Sequence, residues 1–535
     1  MASFKLPKGS SLAHGAAHQA DHRRRSRRDF LRKLGIATGG TAMLGGVPVT
    51  GLGLSPLQAL SAGIGERVLV VVRLSGGNDG LNTVIPTNQY NQYANLRPTL
   101  AIPANQSWQL SDEYAMPNFM SDAQSFWNED SMRIVHNVGY DVQNLSHFRS
   151  TDIWESASDA DVQDASGWLG RLVSAQHPNI FVDPPEVPAA VQIGGSGSLV
   201  FNNADQVNLA FSVVDPTQLE EIAANGAVYD PLAVNDCYSG AQLSFLRSIT
   251  NANYKYAAVI PEYYNASNTQ ANYTGYLGQQ LRVVARLIKG DLGTKLYMVD
   301  IGGFDTHADQ AGAHDNLMEQ VTSQLRTFFD DLSYTGHAPD VLAVTVSEFG
   351  RRIEENGSAG TDHGAASNVL LFGQGLNGSG FVGQGPDLGD VDEVGNLRSY
   401  IDFRQVYATL LEQWLCLDPT LVDDVLGQSF ERLDLGLSCQ AVSTNQPDFP
   451  AIAAHIRYGG PGEYQLHYAL PAAGELTITF FSPLGQELET VFRGRQSAGE
   501  QQLTYRTNGR LPSGMYIVRF AYNGRAVSKR LLVAR

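Results

Sequence analysis

Cysteine is nearly missing from this chain: three in 535 residues, with no CxxC and no haem-attachment pattern, too few for a disulfide framework. In an oxidising compartment one bridge can form, Cys416 to Cys439, leaving Cys237 over. Long apolar runs are missing too. The most apolar stretch, 35–54, is interrupted by Gly, Thr and Pro and falls short of the ~20 continuous apolar residues of a membrane-spanning helix. No internal repeat of solenoid period occurs. Basic side chains are the minority, 37 against 54 acidic ones, for a net charge of −17. Such a field repels nucleic acid and anionic membranes and favours cations near the surface. The bases are also unevenly placed. Residues 1–62 hold nine against two acids, and residues 456–535 hold ten against five, so the acidic excess lies in the middle of the chain.

What is present begins with Ser26-Arg27-Arg28-Asp29-Phe30-Leu31-Arg32: paired arginines, a Phe-Leu step and a further base ahead of a mildly apolar, small-residue stretch. This is the pattern of a bacterial twin-arginine export leader, assigned to residues 1–62. It implies passage through the twin-arginine translocase in the folded state, which suits a protein that loads a metal or cofactor first.

Beyond the leader, buried strands are predicted at Arg67–Leu74, Arg133–Val138, Lys295–Ile301, Val341–Val346 and Asn368–Phe372, each a run of Val, Leu and Ile. Amphipathic helices are predicted at Leu277–Ile288, His314–Leu332 and Asp402–Leu415. Continuously apolar strands alternating with helices indicate an α/β fold, a doubly wound, mostly parallel sheet covered on both faces, over residues 63–439. A Ser/Thr/Asn/Pro stretch at 440–455 reads as a linker. In residues 456–535 short alternating segments sit between Gly, Pro and Asn turns, the pattern of a small antiparallel β-sandwich.

In a doubly wound sheet ligands bind beyond the carboxyl ends of the strands. Asp79 follows the first strand, Asp305 and His307 the third, and Glu348 the fourth, while Asp362 and His363 sit just before the fifth. Carboxylate oxygen with imidazole nitrogen suits a divalent ion such as zinc, manganese or calcium. Each residue alone reads equally as a turn former or helix cap, and Glu348 alternatively pairs with Arg351 or Arg352; the convergent set Asp305, His307 and His363 carries the metal reading. A single ion with ~2 Å bonds requires the donors of these three within about 5 Å of one another.

A polar segment, Asn144-Leu145-Ser146-His147-Phe148-Arg149, leads into a further helix. Ser146 there is either a metal-activated nucleophile at a helix N-terminus that receives an anion, or a plain N-cap. His147 and Arg149 either assist as acid and oxyanion clamp or only pack and pair.

The motifs Leu74 to Pro86 (LSGGNDGLNTVIP), Leu145-Ser-His-Phe148, Gly303-Phe-Asp-Thr-His307, Ser347-Glu-Phe-Gly-Arg351, Thr361-Asp-His-Gly364 and Asp402-Phe-Arg-Gln-Val-Tyr407 together resemble the domain of unknown function 1501 family over nearly all of residues 63–435. That family looks like a branch of the alkaline phosphatase and sulfatase superfamily. The resemblance implies one ion held by Asp305, His307 and His363, and a second surrounded by Asp79, Glu348 and the nucleophile Ser146. Two departures stand out. Glu348-Phe349 replaces the superfamily's common Asp-His, and the His spacing after Asp305 is shorter than usual, so a single-metal or degenerate site is the alternative. The C-terminal segment, with Leu511-Pro-Ser-Gly-Met-Tyr516 as its most specific element, resembles the sorting domain of the type IX secretion system of Bacteroidota; the alternative is an accessory sandwich such as a carbohydrate-binding module.

These expectations describe an exported protein, periplasmic in transit and then at the cell surface or outside the cell. Its partners are the twin-arginine translocase and the type IX secretion machinery, with no nucleic acid. The expected activity is metal-dependent hydrolysis of a phosphate or sulfate ester on a small molecule or glycan. The rival is a non-catalytic surface or matrix binding protein that keeps the fold around a degenerate metal site.

Overall fold

Consecutive rather than alternate apolar residues force a strand to bury both faces, and the first strand of the main unit, β1 (Val68–Ser75), does so. In this computed structural model Val68, Val70, Val72 and Leu74 join one hydrophobic cluster and Leu69 and Val71 the other. The structure describes residues 67–439 and 453–533, except 182, 195–196, 227, 232, 235–237, 461–462, 471–472, 482–486, 508–510, 512–513 and 523–524, together with two short paired strands, Ala42–Leu44 and Val47–Val49. Apart from that pair, the leader assigned to 1–62 lies outside the described residues, as do Cys237 and residues 440–452 of the stretch read as linker.

Around β1 runs a nine-stranded sheet. Its other strands are β2 (Met132–Gly139), β3 (Ala190–Ile193), β4 (Phe211–Val213), β5 (Leu296–Gly302), β6 (Val341–Val346), β7 (Ser367–Phe372), β8 (Gly380–Val382) and β9 (Ile401–Asp402). The order is β8-β2-β7-β6-β1-β5-β3-β4, with β9 also on β2. Every pairing is parallel except those of β7, which runs antiparallel to both β6 and β2. The sheet is therefore mostly parallel, as expected, with one reversed strand. That reversal has a consequence for the site: the amino end of β7 lies on the same rim as the carboxyl ends of its neighbours.

Helices cover both faces. Of α1 (His147–Ser156), α2 (Trp168–Gln176), α3 (Tyr238–Ala266), α4 (Gly275–Lys289), α5 (Gln310–Ser333) and α6 (Phe403–Thr409), α4 and α5 bury Leu277, Leu281, Val284, Met318, Val321, Leu325 and Phe328 against one face. On the other, α1, α2 and α6 bury Ile153, Trp154, Leu169, Leu172, Phe403 and Tyr407. The helix predicted over Asp402–Leu415 is α6 followed by one π turn at Leu410–Trp414. The sequence reading passed over β3 and β4, short strands at one end of the sheet with too few residues to show a pattern, and α3, whose periodicity Pro261 interrupts. Cys416 and Cys439 are disulfide-bonded, their Cα atoms 5.2 Å apart.

The chain divides into two units, residues 1–439 and 440–535. The second holds two antiparallel sheets. One is formed by β10 (Ala453–Gly460), β11 (Glu463–Leu470) and β14 (Gly499–Arg506), the other by β12 (Gly474–Phe481), β13 (Glu487–Gln496), β15 (Gly514–Tyr522) and β16 (Arg525–Val533). Leu466 and Tyr468 of the first and Ile478, Phe480, Val518 and Phe520 of the second share one core. Strand β10 begins at Ala453, inside the stretch read as linker.

Two histidines are sealed inside the main unit. His136 on β2 stacks on Phe381 at 5.1 Å, and His314 on α5 contacts Asn78. Burial pushes both down to about 4, because a charged imidazole is poorly solvated there. Below about 6.5 the unfolded chain takes up protons that these folded rings refuse, so stability falls with pH by about 1.4 kcal/mol per unit for each ring until about 4. The thermal midpoint should drop across that window, and His136→Phe should flatten the slope; an equally steep slope in the variant would show that His136 contributes nothing to it.

Candidate metal centre

Four strand ends and one helix start meet on the carboxyl rim. The loop after β1 passes so close to the loop after β5 that a Cβ on Gly76 (φ +123°) would lie 2.3 Å from the backbone nitrogen of Asp305; only glycine fits there. The loop after β5 carries Asp305 and His307, and β6 leads into Glu348, Phe349 and Arg351. A two-residue antiparallel ladder pairs Gly350 with Gly364 and Arg351 with His363, so the segment before the reversed strand β7 is stitched to the segment after β6. Helix α1 presents His147 at its first turn, and its Ser150 hydroxyl donates to the Glu348 carbonyl, anchoring the helix start to the rim.

Among the described residues, one group of His, Cys, Asp and Glu has donors close enough to share an ion: His147, Asp305 and His363, all within 4.8 Å. His307 joins it, with Nε2 2.9 Å from His363 Nε2 and 3.1 Å from Asp305 Oδ1. His363 Nε2 lies 3.1 Å from Asp305 Oδ1, and His147 Nε2 3.3 Å from Asp305 Oδ2. Asp305, His307 and His363 thus meet the spacing required of them.

Outer contacts assign the tautomers. His363 Nδ1 is 2.8 Å from the Leu145 carbonyl, His147 Nδ1 2.9 Å from Glu348 Oε1 and His307 Nδ1 3.2 Å from Asp362 Oδ1. Each Nδ1 faces an acceptor and so carries the proton, which leaves three Nε2 lone pairs converging on one carboxylate. A hydrogen bond between the Nε2 atoms of His307 and His363 would then need one ring to be imidazolium. A metal cation meets the demand for positive charge for all three rings together. His147 Nε2 supports this: it is buried and has no hydrogen-bond partner. An ion with ~2.1 Å bonds sets its donors roughly 3 to 3.4 Å apart. The contacts of 2.9 to 3.3 Å lie near that range, while His147, Asp305 and His363 together span up to 4.8 Å, so their donors would have to draw together around an ion.

Burial alone would raise the Asp305 carboxyl, but the Arg351 guanidinium, which donates to it and carries a permanent charge, leads the effects that outweigh burial and hold it at about 2. His363 is lowered, chiefly by burial, so its lone pair is available at neutral pH. Asp305 and His307 remain 46% and 45% exposed, so the cluster is open to solvent.

The other residues singled out from the sequence fall in different places. Glu348 pairs with neither Arg351 nor Arg352 but accepts from the Gly76 N–H at 2.9 Å and orients His147. Asp362 does the same for His307, held low by a hydrogen bond from Asn356. Asp79 is outside the cluster: 1% exposed, it caps the short helix Gly80–Thr83 and is bound by Arg97 at 2.6 Å and Gln310 at 2.5 Å. Arg149 Nη2 donates to the carbonyls of Asp159, Ala160 and Val162. Ser146 occupies the N-cap position of α1, exposed, and its hydroxyl makes no capping bond. Phe349 is buried, its ring 4.9 Å from that of His147 and 4.5 Å from that of His363, an apolar floor under the cluster.

Two residues escaped the sequence reading as parts of this region. Arg97 carries no local signal. Gln310 accepts from Thr306 and Thr361, beside the ligand-bearing segments, while donating to Asp79.

Residues 234–441 match the family described as Protein of unknown function (DUF1501). No curated protein matches the chain. Similar solved structures include a protein in the alkaline phosphatase superfamily from Vibrio parahaemolyticus, 10% identical over 82% of this chain and 78% of that one with a TM-score of 0.29. Another is the PsFucS1 sulfatase from Pseudoalteromonas sp., 11% identical over 85% and 87% with a TM-score of 0.30.

A ligand that binds only the folded chain stabilises it by about 2.7 kcal/mol at a hundredfold excess over its dissociation constant. Adding zinc to chelator-treated protein should therefore raise the thermal midpoint of the wild type and leave that of Asp305→Asn unmoved. Equal shifts in both would remove Asp305 from the ligand set.

Proposed function

We propose that the chain is an exported, metal-dependent hydrolase of a phosphate or sulfate ester, centred on His147, Asp305, His307 and His363. The observation that carries this reading is the convergence of three Nε2 lone pairs on the Asp305 carboxylate at the start of α1. When bound, the ion supplies Lewis acidity to an ester oxygen. The chain does the rest. The first turn of α1 offers uncapped N–H groups and the positive end of the helix dipole to an anionic group. Ser146, next in sequence to His147 and exposed, is the nucleophile of this reading: its Oγ forms the bond to phosphorus or sulfur while the bond to the ester oxygen breaks and the hydroxyl proton ends on the departing alcohol. Water then hydrolyses the seryl ester to release phosphate or sulfate and restore the hydroxyl. Glu348 and Asp362 keep His147 and His307 in the ligating tautomer. With its Nη2 spent on the carbonyls at 159–162, Arg149 is assigned to bracing that loop rather than to the anion.

The export route of this reading is a twin-arginine leader followed by type IX secretion, ending at the cell surface or outside the cell. It draws support from the Cys416–Cys439 bridge, which suits an oxidising compartment. The two antiparallel sheets of the second unit fit a sandwich-type sorting domain. Among the described residues no helix is long and apolar enough to cross a membrane.

A second reading has its own observation. Phe349 fills a position where a ligand is common, and Asp79 is bound to Arg97 rather than free; a non-catalytic surface protein with a structural ion is consistent with both. Nitrophenyl phosphate and nitrophenyl sulfate hydrolysis separates the two. The hydrolase reading expects turnover that a chelator abolishes and that Ser146→Ala lowers by roughly 10³-fold or more, the scale of losing a nucleophile. No turnover of either ester, with metal still bound, would favour the second reading.

A further inference from the structure

Positive charge on this rim is already supplied twice by the chain itself. Arg351 has a side chain with no exposed surface. Its guanidinium donates to the carbonyls of Gly76, Gly77, Phe304 and Thr361 and to Asp305 Oδ1 at 2.8 Å. Those acceptors come from the loop after β1, the loop after β5 and the segment before β7. The second internal cation is Arg97, fully buried against Asp79. Asp79 has nothing left to offer: Oδ1 accepts from the N–H groups of Leu81 and Asn82, and Oδ2 from Arg97 and Gln310. Glu348, the remaining buried carboxylate, has its Oε1 shared between Gly76 N–H and His147.

We propose that the centre binds a single borderline transition ion of the zinc class, and neither a metal pair nor calcium, because Arg351 and Arg97 stand as permanent cations at the carbonyls and carboxylate a second ion would need. An arginine stays protonated at any working pH, so no change of condition frees those acceptors. Apart from Glu348 and Asp362, which are turned to the Nδ1 atoms of His147 and His307, the donors without a built-in cation are the three Nε2 atoms, joined by an Asp305 carboxylate already shared with Arg351. Three imidazole nitrogens and one carboxylate suit zinc and its neighbours; calcium takes six to eight oxygens, which this set does not provide. Arg351 is thus a positioning residue, holding Asp305 and three of the converging segments, and a charge that limits the ion count. The inference rests on the metal reading of this site and adds its stoichiometry and ligand class.

The test is metal content rather than turnover. Full-length protein stripped with chelator is equilibrated with excess zinc or with excess calcium alone, desalted, and measured by elemental analysis, with titration calorimetry in parallel and circular dichroism as the check of folding. One zinc per chain is expected in the wild type and in Asp79→Asn, none in the His307→Ala, His363→Ala double variant, and no retained calcium in any of them. Two zinc ions in the wild type, falling to one in Asp79→Asn, or calcium retained in place of zinc, overturns the inference and leaves the metal-dependent hydrolase standing. No zinc in the wild type overturns both. Should Asp79→Asn fail to fold, the wild-type ratio of one or two decides alone.

Discussion

A guanidinium buried without solvent has to find acceptors inside the protein, and Arg351 finds them in segments distant in sequence: Gly76 and Gly77, Phe304 and Asp305, and Thr361. Because one planar group must satisfy all of them, the loop after β1, the loop after β5 and the approach to β7 are held at fixed separations. The glycine at 76 is required by that closeness, and the low pKa of Asp305 follows from it. The rim is organised around a charge the chain brings with it.

On that frame the ligating atoms are aimed from behind. A neutral imidazole has one lone pair, and which nitrogen carries it is decided by the partner of the other. Leu145, Glu348 and Asp362 make that choice for His363, His147 and His307. Beneath them, Gln310 connects Asp79 with Thr306 and Thr361, so the buried Arg97–Asp79 pair underlies the segments that bear ligands. Removing one partner of such a pair costs about 3 to 5 kcal/mol, which is reason enough for Asp79 to belong to the frame and not to the ion.

How far the sequence is legible depends on where its signals are stored. Long, doubly buried strands such as β1 and β6 announce themselves as unbroken apolar runs, and amphipathic helices such as α4 and α5 by the period of their apolar residues. Strands of three or four residues, β3 and β4, hold too few residues for any period. Asp305, His307 and His363 are legible as a set because they flank predicted strands on the binding edge. His147 entered the reading as an acid beside a nucleophile, whereas its place in the fold is among the imidazoles around Asp305, an arrangement that depends on where α1 docks.

The order of residues by itself decides which segments are buried, which are strands or helices, and which polar side chains stand at strand ends, because these follow from local pattern and from the cost of leaving apolar surface in water. It carries no record of strand direction: β7 is written like its neighbours, and its reversal, which brings His363 to the same rim as Asp305, is set by pairing with β6 and β2. Nor does it say which carboxylate meets a cation. Asp79 and Asp305 both follow a buried strand, yet Arg97 closes on one while Arg351 and three imidazoles surround the other. That choice rests on contacts spanning up to hundreds of residues, fixed only once the sheet and its loops have packed.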